Sequence, residues 1–489
     1  MPDIPVLNDK TKLLRHASPN EQRTITREHL NFYHNVIIGA VYEFGDRFHV
    51  ESRHSYIAPV RRCVEEHPFL NVVVGDRHTE KAFYQLATTF NLEDHITVSD
   101  RVSDDNYWTE VEGVLRTSVD KPLSPSSPLW RVIVIPLPKR NSALIAFVYS
   151  HSILDGPSGV AFHRSFLTAV RSAQNDNSPY ITTPETFTLG EQFDTPKRFT
   201  ISWLFLLGPL LGLFLPTFLV NWLGITGNVT APDKGTWTGS DIFFDEAKGP
   251  RTKLVLREID AKLVENALRA SREHGVRLTG VLHQLMVRAL SKAFAQHTTS
   301  GPITNFISQT AIDMRRAAGI PATEMGEFAS GVYVTHPVID ETTWKGPLTE
   351  EEWAAARAST AKFADAASRL RDQPVGLLRY LPSMRKWMTG KLGKRRDCSY
   401  ELSNVGAFVD HDEGEADGEG KTKITKMVFA QPGMVIGCPI CLNVASVKGG
   451  SLVYTISWPA GALGVPEGVD EDELIRGVCD SLKAVFERF

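Results

Sequence analysis

The apolar positions of this chain follow two different periods, which predicts a mixed α/β protein. Residues 144–149, Leu-Ile-Ala-Phe-Val-Tyr, form a continuous apolar run that is typical of a buried strand. Over residues 159–171 the apolar positions instead recur at helical spacing, which predicts an amphipathic helix. His163 falls beside the apolar stripe of that helix, so we expect it at the flank or rim.

Strand and helix patterns continue through the second half of the chain, so we expect two mixed lobes. A length of 489 residues exceeds what one compact core usually supports. We divide the chain into a first lobe over 1–225, a linker over 226–250 and a second lobe over 251–489. The elements predicted for the second lobe are a helix from Asp260 to Gly275, a helix capped by Thr279, a strand over 303–311, and helices over 350–372 and 470–488.

The chemistry-bearing motif is His151-Ser-Ile-Leu-Asp155-Gly156, which directly follows the apolar run. An imidazole is well suited to take a proton from an alcohol or amine near neutral pH. We expect Asp155 to hold the local backbone, and Gly156 to allow a backbone geometry closed to other residues. The motif indicates acyl transfer with a single general base. Alone it is weak, because a histidine at a strand end is more often a satisfied core residue.

Further motifs resemble the fungal alcohol acetyltransferases, in the order in which they occur in that family. This family is similar to the wider HxxxD acyltransferases, which include chloramphenicol acetyltransferase, plant BAHD enzymes and peptide-synthetase condensation domains. The resemblance spans most of the chain and makes His151 the favoured catalytic residue. The matching segments are Leu14–Arg27, Leu30–Tyr33, His67–Leu70, Pro128–Arg131, Ser403–Gly406 and Ser457–Pro459.

The resemblance implies a fold of two chloramphenicol-acetyltransferase-like lobes, each with strands and helices, that enclose an active-site tunnel. It implies an acyl-CoA co-substrate, most simply acetyl-CoA, and direct transfer to the hydroxyl of a small molecule without an acyl-enzyme. In the superfamily the motif carboxylate pairs with an arginine. Arg315 is our candidate partner for Asp155, with Arg316 second. Ser403 and Asn404 match residues that line the family's site, where either is a candidate oxyanion donor.

Two departures from relatives bear on the substrate. The DFGWG signature of plant BAHD enzymes is absent, and Ser150 stands where condensation domains have a second histidine. An N-acyltransferase or condensation-like enzyme stays open as an alternative, because an amine acceptor would use the same His151. A non-catalytic binding protein on this fold is a further alternative, although His151 and Asp155 are both present.

Composition narrows the possible partners. A formal net charge of −4 does not indicate nucleic-acid binding. The five scattered cysteines fit a reducing compartment, so we expect a cytoplasmic protein. We also expect a monomer. The pair Cys438 and Cys441 lacks a second ligand pair and is expected to pack within a strand region. We expect no metal and no resident cofactor.

Residues 201–223 form an uncharged apolar segment long enough to cross a bilayer, but glycines and prolines interrupt it. A single span would separate the two lobes. We therefore expect either peripheral contact with an intracellular membrane or a lid over the acceptor tunnel. A basic stretch over 379–396 is expected to be a solvated loop, with CoA phosphates or anionic lipid as alternative ligands.

Overall fold

The computed structural model describes residues 13–103, 106–172, 176–184, 186–214, 232–295, 302–410 and 421–489. The predicted α/β class is confirmed, because helices and strands alternate through both halves. The helices are α1 Pro19–His29, α2 His54–Glu66, α3 Trp108–Val119, α4 Gly156–Arg171, α5 Trp203–Phe214, α6 Ala261–Glu273, α7 Leu278–Ala295, α8 Arg315–Ala318, α9 Glu350–Ser368, α10 Met384–Thr389 and α11 Glu471–Phe486. The strands are β1 Leu13–His16, β2 Asn35–Glu43, β3 Val72–Gly75, β4 Phe83–Leu86, β5 Thr89–Asn91, β6 Ile96–Val98, β7 Trp130–Pro136, β8 Ser142–Ser150, β9 Tyr180–Thr182, β10 Thr252–Ile259, β11 Asn305–Asp313, β12 Ala329–Pro337, β13 Tyr400–Phe408, β14 Lys423–Ala430, β15 Ile440–Val447 and β16 Leu452–Pro459.

The first large sheet has the strand order β14-β2-β8-β7-β6, with β8 at its centre. All nine residues of β8 are buried, which explains why its sequence is a continuous apolar run. Strand β14 comes from the second half of the chain and pairs antiparallel with β2. The lobe boundaries predicted from the sequence do not include this exchange.

The second large sheet has the order β10-β16-β15-β13-β11-β12 and lies wholly in the second half. Helix α6 starts after Asp260 and ends before Gly275, whose φ is +65°. The prediction that Thr279 caps the next helix is wrong, because α7 already begins at Leu278. Helix α9 begins with a capping box between Thr349 and Glu352.

The two halves share an apolar contact region as well as the strand exchange. Val111 and Leu115 of α3 belong to the same buried cluster as Leu254 and Leu256 of β10. Two larger cores lie on either side of this region. One belongs mainly to the first half but also includes Phe408 and Phe429, and the other belongs to the second half.

Helix α5 covers the start of the apolar segment, and residues 215–223 of that segment lie outside the described residues. At its start, Trp203 is 77% and Leu204 is 62% exposed. Among the described residues, no helix combines the length and the hydropathy that a membrane span requires.

Candidate active site

His151 follows the central strand β8 and lies between the two halves of the chain. Its side chain is 18% exposed, and Nδ1 lies 2.8 Å from Oε2 of Glu327, a residue of the second half. The ring N–H is not aligned with that oxygen, and neither atom has another hydrogen-bond partner among the described residues. The Tyr33 ring packs against the imidazole with centroids 5.7 Å apart. Nε2 has no hydrogen-bond partner among the described residues, and unlike Nδ1 it is not fully buried.

Asp155 ends the turn after His151 and is the N-cap of α4. Its Oδ1 accepts hydrogen bonds from the Ser158 backbone N–H at 3.0 Å and from the Ser158 hydroxyl at 2.6 Å. Its Oδ2 accepts the backbone N–H of Phe328 at 3.0 Å. The carboxylate therefore caps the helix and also holds the loop before β12. These contacts agree with the expectation that Asp155 holds the local backbone.

The structure brings Asp155 and Arg315 together, whereas Arg316 is exposed. Both side chains of the pair are only 2% exposed. Burial alone raises the pKa of Asp155, but the charge and hydrogen bonds of Arg315 outweigh burial and lower it below its usual value. The same contacts raise the pKa of Arg315 despite burial. The pair is therefore ionised and joins the two halves.

Gly156 is needed for space, so the prediction of an unusual backbone geometry is wrong. It is the first residue of α4 and is not one of the glycines with positive φ. A Cβ at this position would lie 2.9 Å from Cγ1 of Val405 on β13. The close approach of α4 to β13 thus explains the glycine.

Ser403 and Asn404 both lie on β13, and each already donates to a protein partner. Ser403 donates to Oε1 of Glu401 at 2.9 Å, and Asn404 donates to the Thr279 hydroxyl at 3.2 Å. An oxyanion contact from Ser403 would require its hydroxyl to leave Glu401, whereas the Asn404 amide carries a second N–H and could keep Thr279 as a partner. The oxyanion role of these residues stays a prediction.

A buried polar chain connects Ser403 to the histidine, and the sequence analysis missed its inner members. Glu401 accepts from Nε2 of Gln431 at 2.9 Å, and Gln431 accepts from the Tyr33 hydroxyl at 2.7 Å. Tyr33 in turn packs on His151. The segment Leu30–Tyr33 was part of the family resemblance, which is the signal that marks Tyr33. Nothing in the local pattern marks Gln431.

Arg27 of α1 supplies a buried positive charge beside this chain. Its guanidinium carbon lies 3.8 Å from the centroid of the Tyr33 ring, and Nε has no hydrogen-bond partner among the described residues. Burial lowers the pKa of Arg27 to about 10, so it stays protonated at neutral pH. The carboxylates of Glu327 and Glu401 partly offset this charge. The site therefore mixes charges of both signs around one imidazole.

His163 is fully buried, so its predicted position at a helix flank is wrong. Its Nε2 lies 2.9 Å from the carbonyl oxygen of Ile38, and its Nδ1 lies 3.0 Å from the Tyr42 hydroxyl. Both ring nitrogens are thus satisfied, which permits the burial of a polar ring on the side of α4 that faces the sheet. Burial lowers its pKa to about 4. This histidine supports the helix and is not part of the site.

The cysteine pair and the basic stretch are two further candidates from the sequence. Cys438 and Cys441 are free, buried thiols, and in the part of the chain described here no cluster of His, Cys, Asp and Glu could hold a metal ion. The expectation of a solvated basic loop is wrong for Arg396. That guanidinium is fully buried and donates to backbone carbonyls, including those of Met434 and Val435.

Sequence comparison relates this chain to alcohol acetyltransferases. Residues 21–187, which include the His151 motif, match the family model described as alcohol acetyltransferase. The predicted resemblance is confirmed. The probable alcohol acetyltransferase crmB of Aspergillus fumigatus is 24% identical over 74% of this chain and 73% of its own length. A Schizosaccharomyces pombe protein described as uncharacterised is 22% identical over 91% of each chain. The family match supports the prediction of a CoA-dependent O-acyltransferase.

One solved structure superposes on most of this chain. The trichothecene 15-O-acetyltransferase TRI3 of Fusarium sporotrichioides superposes with a TM-score of 0.63 and is 12% identical, covering 96% of this chain and 95% of its own. At that identity the likeness concerns the fold, and it confirms the predicted acyltransferase-like architecture.

Proposed function

We propose that the protein transfers an acyl group, most simply acetyl, from acyl-CoA to the hydroxyl of a small molecule, with His151 as the general base. The observation that carries this proposal is the setting of the imidazole. One nitrogen of His151 faces a buried carboxylate, and the other is free of partners among the described residues. A base arranged in this way presents Nε2 to an incoming hydroxyl. General-base catalysis of this kind contributes about 10²–10⁴-fold to a rate.

The proposed reaction is a direct transfer. As the acceptor oxygen bonds to the acyl carbon, its proton moves to Nε2 of His151, and the carbon–sulfur bond then breaks. The protonated imidazole returns the proton to the leaving thiolate. The buried cysteines are poor nucleophile candidates, because burial raises the pKa of Cys63, Cys438 and Cys441 well above the usual value.

A hydroxyl acceptor is favoured over an amine by the alcohol acetyltransferase match across the motif. The test is release of free CoA thiol by the purified protein from acetyl-CoA and longer acyl-CoAs, in the presence of panels of alcohols and amines. We expect thiol release that depends on an alcohol. Release that depends only on amines would support the alternative N-acyltransferase and contradict the proposal. Absence of acceptor-dependent release across both panels would contradict enzymatic acyl transfer and favour the binding-protein alternative.

We also propose that the segment over 201–223 contacts a membrane surface rather than closing the tunnel. A lid would bury its apolar side chains against the protein. In α5, however, Trp203, Leu204 and Leu207 are 77%, 62% and 39% exposed. Indole rings prefer the membrane–water interface, and exposed apolar groups of this size favour burial in lipid. The cytoplasmic location and the monomeric state stay predictions.

A further inference from the structure

Glu327 is the residue that reaches the His151 imidazole from the other half of the chain. It lies between α8 and β12, its side chain is 1% exposed, and Oε2 is 2.8 Å from Nδ1 of His151. The other oxygen, Oε1, accepts a hydrogen bond from Asn20 at 3.3 Å. Even without an aligned hydrogen bond, a buried carboxylate this close to a ring nitrogen repels a lone pair on that nitrogen and so favours a proton there.

We propose that Glu327 is a positioning residue that keeps the His151 proton on Nδ1 and leaves the Nε2 lone pair directed at the acceptor. When Nε2 takes the hydroxyl proton, the imidazolium forms beside an ionised carboxylate and is stabilised by it. The proton passes from the hydroxyl to Nε2 and then to the thiolate, and Glu327 takes no part in that transfer. This inference rests on the proposed function, since it assigns Glu327 a role in that reaction.

The Asp155 turn holds the residues on both sides of Glu327. The backbone N–H of Asp155 donates to the Gly326 carbonyl at 3.0 Å, and the Phe328 N–H donates to the Asp155 carboxylate at 3.0 Å. The Ser158 hydroxyl accepts the Gly326 N–H at 3.1 Å. The motif carboxylate therefore acts on the base indirectly. It anchors, across the junction of the two halves, the loop that brings Glu327 to His151.

Other titratable groups lie near Glu327 and His151, and they bear on what removal of the Glu327 charge would do. Arg27 from α1 is a nearby cation, and the charges of Glu327 and of Glu401 on β13 each raise its pKa. The surrounding hydroxyls stay neutral, because burial raises the pKa of each well above its usual value: Tyr33, Tyr84 and Tyr149. Removing the Glu327 charge leaves Arg27 less compensated. Without Glu327, the imidazolium that forms during the reaction loses its buried counter-charge and becomes less stable.

The test compares kcat and its pH dependence in the full-length protein carrying Glu327→Gln with those of the parent. We expect kcat to fall about 10- to 100-fold, with KM for acetyl-CoA within about threefold. The pH at which kcat falls to half on the acid side should move down by roughly one unit. Glu324→Gln makes the same chemical change at an exposed position of the same loop and should leave the rate and the profile unchanged.

Glu327→Asp keeps the charge but shortens the side chain, and serves if the glutamine variant folds poorly. It should lose rate while keeping the parent's acid limb. A glutamine variant with the parent's rate overturns the inference, and so does a slow one whose acid limb is unmoved. The inference is also contradicted if Glu327→Asp shifts the acid side of the kcat profile as far as Glu327→Gln does. These outcomes are separate from failure of the proposed function, which requires that His151→Ala remain active.

Discussion

Arg315 and Asp155 form a bidentate ion pair, with Nη1 2.8 Å from Oδ2 and Nη2 2.7 Å from Oδ1. Bidentate pairs of this kind are the strongest and most directional ion pairs in proteins. The two residues come from different halves of the chain, and the loop before β12 is hydrogen-bonded to the same carboxylate. The pair therefore fixes the geometry at the junction where His151 lies.

Replacing Asp155 by Ala should destabilise the protein strongly, because it leaves the Arg315 guanidinium buried without its main partner. We expect a loss of about 3–5 kcal/mol in the free energy of unfolding, measured by denaturant titration, together with loss of activity. Asp313→Ala is the matched control. Asp313 contacts the same guanidinium at 3.0 Å but is 43% exposed, so its loss should cost at most about 1 kcal/mol. An Asp155→Ala protein as stable as the parent, yet inactive, would mean that the carboxylate has a direct chemical role.

Two helical glycines should respond in opposite directions to replacement by Ala. In α4 a Cβ at Gly159 would lie 2.3 Å from Cγ1 of Ile38, so Gly159→Ala should destabilise by about 1–3 kcal/mol and lower activity through the adjacent turn. In α3 a Cβ at Gly113 would meet nothing within 4 Å, so Gly113→Ala should stabilise by about 0.5–1 kcal/mol. Thermal melting of both variants decides this. Similar shifts in the two would refute the packing argument.

Acid should destabilise the fold well above the range in which carboxylates titrate. The pKa of His163 is lowered from 6.5 to about 4 by burial, so the unfolded chain binds a proton over a range where the folded protein does not. Stability should be full above about pH 6.5 and decrease as the pH falls toward 4, with about 2 kcal/mol lost to this residue between pH 7 and 5. The lowered pKa of Asp155 acts only at lower pH, below its usual 3.8.

Unfolding of the parent and of His163→Asn at pH 7 and pH 5 tests this assignment. The variant should be less stable at pH 7, because the packing of the buried ring is lost, but its stability should change less between the two pH values. An unchanged difference between pH 7 and pH 5 would assign the acid sensitivity to other groups, such as His336, whose pKa is also lowered to about 4.

The membrane proposal is tested by flotation of the full-length protein with liposomes that contain anionic lipid. We expect the parent to float with the liposomes and the double variant Trp203→Ser, Leu204→Ser to remain in the dense fraction. The double variant should keep its activity on a water-soluble acceptor. Tyr180→Ser removes another exposed aromatic side chain, 67% exposed, outside the segment, and should float like the parent. A parent that does not float at low salt would contradict the membrane contact.

The sequence predicts the first part of the site well, because its signals are local. A continuous apolar run before His151 marks β8, and the helical stripe after Gly156 marks α4. The position of Arg315 after a strand and the family resemblance together single out the partner of Asp155. These features depend on near neighbours and on motif order, which a single chain displays.

The remaining features depend on packing between distant segments. Glu327 lies in a loop with no periodic pattern, and contacts of its neighbours with the distant Asp155 turn bring it to His151. Strand β14 crosses to the first sheet through a pairing with β2 that its own sequence does not specify. His163 is buried because Tyr42 and Ile38 satisfy its ring, and these residues are far away along the chain. Helical spacing alone places it at the edge.

The central claim is that His151 is the base of an acyl transfer, and the most direct test is the turnover of His151→Ala. Acceptor-dependent thiol release from acetyl-CoA should fall at least about 100-fold, while the affinity for acyl-CoA, measured by calorimetry, and the melting temperature stay close to those of the parent. His78→Ala, an exposed histidine elsewhere in the chain, is the control and should retain full activity. Turnover of His151→Ala within about threefold of the parent would contradict the account.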